Sequence, residues 1–218
     1  MASKSDRTRN PLIDQLAEEL EPVRPITFRS GAILIALALL VTVLGVEIVD
    51  GLWRGIIAGE ASAFFLIANG LLLVLGIASA SSVITMAAPR VGNAHDGPKW
   101  AMAMAAVLPV AAFVTLLGHD HGLSQMIDDP YNLTCFGSAL MASILTAGAL
   151  VLWLRRGAPV SPDKAGLHIG VASTALGSLA YGLACPIDNV VHLGVWHAAP
   201  VVVGALIGRY ALPRLLRW

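Results

Sequence analysis

Residues 31–49 read GAILIALALLVTVLGVEIV, an apolar stretch whose only charged residue, Glu47, lies near its end. A helix of about 20 mostly apolar residues crosses the bilayer core, which is roughly 30 Å thick. The stretch is therefore long enough to form a transmembrane helix, and it offers no polar face to water.

Five more apolar stretches follow, at residues 61–87, 100–117, 135–154, 167–184 and 195–212. Their interiors contain no Asp, Glu or Lys, and the one Arg, Arg209, lies towards the end of the last stretch. The connections between them are short. The sequence predicts an all-α membrane protein, a six-transmembrane-helix bundle over residues 31–218 preceded by a separate tail at 1–30.

Composition supports a membrane protein and excludes several other classes. Of the 218 residues, 56% are hydrophobic and 13% are charged, against roughly 45–50% and about 25% in soluble domains. A disordered chain, a coiled coil and a soluble globule are excluded. The 14 basic and 14 acidic residues balance, so the total charge indicates no direct nucleic-acid partner. Two cysteines are too few for a disulfide scaffold.

The distribution of basic residues predicts the orientation of the bundle. Basic residues concentrate on the cytoplasmic side of membrane proteins. If the N-terminus is cytoplasmic, 13 of the 14 basic residues lie inside and only Arg54 lies outside. We therefore expect both termini to be cytoplasmic.

The tail contains a short amphipathic segment, residues 11–20 (PLIDQLAEEL). Apolar residues follow one another at helical spacing on one face: Leu12, Ile13, Leu16 and Leu20. Ten residues are too few for a helix that is stable alone in water, so the segment needs a surface to dock on. That surface is either the membrane interface and bundle end, or a groove on another protein.

The predicted outer face gathers both cysteines and most of the histidines. Cys135 and Cys185 begin helix four and follow helix five, so they fall in one layer although they are 50 residues apart. Nearby polar residues in the predicted outer loops are His119, His121, His192, His197 and Asp188. Thiolate and imidazole suit Cu(I) and Zn, and a cysteine pair suits reversible disulfide chemistry. Inert apolar packing of the cysteines is the third interpretation.

The predicted membrane interior contains few polar residues and none that is charged near mid-span. Proton-coupled transporters place ionisable residues within their spans, whereas here the most polar position near mid-span is Asn69, for which we expect an interhelical hydrogen bond. No acid–base order suitable for catalysis is recognisable, so the chain is not expected to be an enzyme.

Several segments, in order, resemble one protein family. They are residues 12–26 (LIDQLAEELEPVRPI), Cys135-Phe136, residues 154–159 (LRRGAP), Cys185-Pro186, Trp196-His197 with Pro200, and the closing Arg-Leu-Leu-Arg-Trp. Their order and spacing over essentially the whole chain resemble the NrsF family, six-helix bacterial anti-sigma factors of the inner (cytoplasmic) membrane.

The resemblance implies a function and assigns roles to residues. The tail would hold an extracytoplasmic-function sigma factor through Leu12, Ile13, Leu16, Leu20, Pro22, Val23, Arg24 and Pro25. Cys135 and Cys185 match the family's cysteine pair, which is linked to sensing of metal or oxidative stress. His192 and His197 are auxiliary candidates, and His119, His121 and Asp188 are weaker ones.

Two other functions are compatible with the residues. A small metal or solute transporter would use the outer Cys/His layer for capture, and would need a charged or chelating path through the bundle. A membrane partner of a thiol oxidoreductase would need Cys135 and Cys185 to cycle with an external donor.

Overall fold

The computed structural model describes residues 11–19, 26–87, 97–118, 130–157 and 159–216. Within these ranges every regular element is a helix. In chain order they are α1 (Pro11–Glu18), α2 (Phe28–Val49), α3 (Gly55–Ala58), α4 (Ala63–Met86), α5 (Gly97–Ala105), α6 (Val107–Leu117), α7 (Asn132–Leu154), α8 (Pro162–Gly182), α9 (Val190–Trp196), α10 (Ala199–Tyr210) and α11 (Pro213–Leu216).

Five helical stretches in the described residues are long and apolar enough to cross a membrane. They are Phe28–Val49, Ala63–Met86, Pro98–Leu117, Asn132–Leu154 and Val190–Tyr210. Each overlaps a span predicted from the sequence. The third is interrupted after Ala105, because Pro109 has no N–H to donate to the Ala105 carbonyl. The fifth is interrupted at His197, and the next helix begins at Ala199 with Pro200 in its first turn.

The sequence also predicts a span at residues 167–184, and α8 occupies this part of the chain with more small and polar residues than the other five. Seventeen of its 21 residues are buried, and α2, α4, α7 and α10 surround it. A helix that faces protein on all sides needs no lipid-compatible surface. Small residues instead let neighbouring backbones approach closely.

Glycines set the closest of these approaches. Gly166 and Gly170 of α8 face Gly204 and Gly208 of α10. A β-carbon on Gly170 would lie 1.9 Å from the Gly204 carbonyl oxygen, and one on Gly166 would lie 2.2 Å from the Gly208 carbonyl oxygen. No side chain larger than hydrogen fits at this crossing without moving the helices apart.

Polar contacts tie the loops together at one end of the bundle, here called the cysteine end, where α7 begins and α8 ends. The backbone N–H of Trp53 donates to the Leu183 carbonyl at 2.9 Å. Ser62 caps the start of α4, and both its N–H and its hydroxyl donate to the Asp188 carboxylate at 2.6 Å. These contacts fix the segment that follows α8, which carries Cys185.

Candidate metal and redox centre

Four side chains converge at the cysteine end: Cys135, Cys185, His192 and His197. Each offers one ligand atom, and these atoms all lie within 4.8 Å of one another. No more than 2% of any of the four residues is exposed. Two thiols and two imidazoles thus share one buried site.

Local backbone structure explains how distant residues meet here. Cys135 lies in the first turn of α7, and Cys185 follows the end of α8, where its N–H donates to the Tyr181 carbonyl at 3.1 Å. The side-chain oxygen of Asn189 caps α9 by accepting from the N–H groups of Val191 at 2.8 Å and His192 at 3.4 Å. Asn is among the strongest N-cap residues, so α9 begins where it places His192 in its first turn.

Two of the spacings between donor atoms match those of a tetrahedral metal site, and all four donors lie within 4.8 Å of one another. The two sulfurs lie 3.6 Å apart, and the Cys185 sulfur lies 3.5 Å from His192 Nε2. A tetrahedral Zn²⁺ with Zn–S bonds near 2.3 Å and Zn–N bonds near 2.0 Å holds two sulfurs about 3.8 Å apart and a sulfur and a nitrogen about 3.5 Å apart. Two soft thiolates with two imidazoles also suit Cu(I). The residues present therefore fit a thiophilic metal.

Neighbouring groups stabilise the thiolate of Cys185, which lies outside the helices. The pKa of this thiol is held well below its usual range, chiefly by the adjacent Cys135 sulfur. The imidazoles of His192 and His197 lower the pKa further, while burial acts in the opposite direction. Because the thiolate is both the metal ligand and the nucleophile in disulfide formation, this environment favours either chemistry.

Several buried polar atoms in the cluster and next to it have no hydrogen-bond partner among the described residues. They include both ring nitrogens of His197 and the side-chain oxygen of Asn69. The Asn69 amide nitrogen donates to Phe65 in its own helix at 3.0 Å, so the interhelical hydrogen bond expected from the sequence is not made. Unpartnered buried polar atoms are uncommon in folded proteins and call for an explanation.

The structure separates the remaining candidates from this cluster. Asp188 binds Ser62 through its carboxylate instead of joining the four donors. His119 and His121 lie outside the described residues. His192, expected in a loop, lies within α9, because the Asn189 cap starts that helix earlier than the apolar run at 195–212 indicates.

An open cleft lies between α2 and α7 on the bundle surface, with Tyr181 in its lining. It has a volume of about 510 Å³ and polar lining residues that include Asp50, Ser138 and Tyr181. Tyr181 packs in one cluster with Val46, Cys135 and Cys185. Tyr181 therefore belongs both to the cleft lining and to the packing around the two thiols.

The tail segment forms a helix, α1, as the sequence predicts. Leu12 and Leu16, four residues apart and so on one face, are 59% and 54% exposed. The side chain of Ile13 and the whole of Leu20, Pro22, Val23, Arg24 and Pro25 lie outside the described residues. The roles of these tail residues remain predictions.

In the part of the chain that the structure describes, apolar helices long enough to cross a membrane accompany a buried Cys/Cys/His/His cluster that could hold a metal ion, which places the chain in the class of helical membrane proteins. The chain belongs to the NrsF family, described as negative regulator of sigma F, whose model matches residues 16–218. The resemblance noted from the sequence is thereby confirmed.

One curated relative is the anti-sigma-F factor NrsF of Caulobacter vibrioides (strain NA1000 / CB15N). It is 41% identical over 71 residues, which cover 32% of this chain and 33% of the relative. The match thus spans about a third of the curated relative's length. No solved structure matches the chain.

Proposed function

We propose that this chain is a membrane-bound anti-sigma factor. It holds an extracytoplasmic-function sigma factor through its cytoplasmic tail and releases it when metal or an oxidant reacts at the Cys/His cluster. The observation that carries the proposal is the convergence of Cys135, Cys185, His192 and His197 in one buried site. Membership of a family of negative regulators of sigma F supports a sigma factor as the bound partner.

In this proposal the chain spans the bacterial inner membrane six times. The span added to the five apolar ones is α8, fifth in chain order, whose 21 residues are close in number to those of α2, α4 and α7 although its composition is less apolar. Placing both termini in the cytoplasm leaves the cysteine end in the periplasm and 13 of the 14 basic residues inside. The signal then arrives on the side opposite to the sigma factor.

The cluster has two ways to change the packing of α7 and α8. A bound metal would supply a positive centre that draws the two thiolates and two imidazoles into one coordination shell. Alternatively, an oxidant takes two electrons and two protons from the thiols. The sulfurs, now 3.6 Å apart, then approach to the roughly 2.05 Å of a disulfide.

Close packing offers a route from the cluster to the other end of the bundle. A β-carbon on Gly177 of α8 would lie 2.6 Å from the Ala139 carbonyl of α7, so these helices touch along their backbones. At the far end, a β-carbon on Gly157 after α7 would lie even closer to the carbonyl oxygen of Ala87 after α4. To move from 1:99 to 99:1 release, the signal must favour the releasing state by about 5.5 kcal/mol.

The buried residues do not favour a transporter for charged solutes. Among the described residues, the buried polar side chains are hydroxyls, one amide and three imidazoles, with no Asp, Glu, Lys or Arg. Two of the three imidazoles belong to the cluster itself. A charged or chelating path across the bundle, which that function requires, is missing from the part of the chain that the structure describes.

Removing the tail is expected to abolish capture of the sigma factor while leaving the bundle folded. The deletion should end at residue 25, because Thr27 accepts a hydrogen bond from the Ser30 N–H and caps α2. The tagged full chain and the deletion variant are purified from membranes of the chain's own bacterium, and co-purifying sigma subunits are identified by mass spectrometry. Absence of any sigma subunit from the full-length sample would contradict the proposal.

A matched pair of double variants localises the contact within the tail. Leu12→Ala with Leu16→Ala removes two exposed apolar anchors, each worth about 1–2 kcal/mol if buried by the partner, so binding should weaken about 30- to 700-fold. Asp14→Ala with Glu18→Ala changes the opposite side of the same helix and should have little effect. Equal losses from both pairs would contradict a helix-in-groove contact.

A further inference from the structure

The cluster has a neighbour on α4 that the sequence interpretation did not connect to it. Asn69 is 7% exposed, and its side-chain oxygen has no hydrogen-bond partner. His197 is 1% exposed, and its Nδ1 also has none. An acceptor without a donor thus lies buried near a ring nitrogen without a partner.

The two atoms face the same small gap beside the backbone of Gly182. A β-carbon on Gly182 would lie 2.5 Å from Asn69 Oδ1 and 3.3 Å from His197 Nδ1. Glycine at this position therefore keeps the gap between the amide and the imidazole free of any side chain. The amide is itself oriented, because its nitrogen donates to the Phe65 carbonyl at 3.0 Å.

Metal binding at the cluster would require one defined form of His197. A neutral imidazole that binds a metal through one nitrogen carries its proton on the other, and that N–H is almost always donated to an acceptor. The hydrogen bond made by the second nitrogen determines which nitrogen is available. Asn69 Oδ1 is an oriented acceptor on the Nδ1 side.

We propose that Asn69 is a positioning residue for His197. Its carboxamide oxygen accepts the Nδ1–H of His197, directly after a small rotation of the amide or through one water, and so leaves Nε2 with the lone pair for the cluster. The inference rests on the proposed metal or thiol chemistry. Its first test, the location of a proton, requires neither a metal nor a sigma factor.

The location of that proton can be read from ¹⁵N NMR of the full chain labelled at histidine and purified in detergent. The chain has six histidines, and the signals of His197 are those lost in His197→Gln. We expect Nδ1 to be protonated in the wild-type chain and in Asn69→Asp, which keeps the acceptor oxygen. In Asn69→Leu, which removes the acceptor at similar volume, the proton should move to Nε2 or be shared between both nitrogens.

Metal affinity is the second readout, measured with Co²⁺ and Cu(I) in competition with a chelator. Loss of such a positioning partner typically lowers metal affinity about 10–100-fold, and we expect this in Asn69→Leu. Ser79→Ala is the matched control, because Ser79 is another buried and unpartnered polar residue of α4. It should change neither readout.

A wild-type proton location in Asn69→Leu, or an Nε2–H form in the wild-type chain, would overturn the inference. If Asn69→Leu fails to fold, Gly182→Ala replaces it, since its β-carbon displaces the same oxygen without removing it. Absence of metal binding in the wild-type chain would count against the metal branch of the proposed function, and the proton location would still decide the role of Asn69.

Discussion

Replacing both Cys135 and Cys185 with serine is expected to abolish metal binding and to leave the sigma factor bound under stress. The two sulfurs supply two of the four donors of the cluster, and serine hydroxyls are poor ligands for thiophilic metals at neutral pH. Serine is also nearly the same size as cysteine, so the buried site should stay filled. The measurement is stoichiometric Cu(I) and Zn²⁺ binding, together with sigma-dependent transcription before and after stress.

Variants of single residues separate the two possible signals. If the signal is a disulfide, either Cys135→Ser or Cys185→Ser should abolish the response completely, whereas His192→Ala, which removes one group that lowers the pKa of Cys185, should slow the response without abolishing it. If the signal is a metal, each of the three variants should weaken binding, because each removes one of four ligands. Stress-induced release that is unchanged in the double serine variant would contradict a role for the cluster.

Gly170→Ala is expected to produce the largest loss of stability from the addition of a single methyl group. The new β-carbon would lie 1.9 Å from the Gly204 carbonyl oxygen, a backbone atom that moves only if α8 and α10 separate. Overpacking of this kind costs about 1–3 kcal/mol, occasionally more. The free energy of unfolding in mixed micelles, followed by circular dichroism during denaturant titration, measures the loss.

Gly148→Ala of α7 is the matched control for this prediction. A β-carbon there would meet nothing within 4 Å, and alanine has a higher helix propensity than glycine by about 1 kcal/mol. The control should therefore be neutral or slightly stabilising. A loss for Gly170→Ala no larger than for Gly148→Ala would show that the α8–α10 crossing is less close than described.

The sequence predicts the apolar helices well because their signal is simple. Residues 31–49, 61–87 and 135–154 correspond to α2, α4 and α7 within a few residues at each end, since length and apolar composition suffice to locate such helices. The breaks at Ala105 and His197 were not predicted, although Pro109 and Pro200 in the sequence are signals for them. Both prolines lie within continuous apolar stretches, so hydrophobicity alone predicts an unbroken helix at each of them.

The candidate site was predicted only in part. Cys135 and Cys185 could be placed in one layer from helix order, but the proximity of His192 depends on the Asn189 cap and that of His197 on the break before Pro200. Asn69 could not be linked to the site at all, because its position near His197 is produced by packing of α4 against α8 at Gly182. Tertiary contacts of this kind leave no local sequence pattern.

The central claim is that metal binding or oxidation at the cysteine end controls the affinity of the tail for the sigma factor. The most direct test uses the full chain in lipid nanodiscs, bound to a fluorescently labelled sigma factor, with dissociation followed by fluorescence anisotropy. Addition of Cu(I), Zn²⁺ or the thiol oxidant diamide should release the sigma factor from the wild-type chain under at least one condition. The double serine variant should retain it under all three. Retention by the wild-type chain throughout, or equal release from the variant, would contradict the claim.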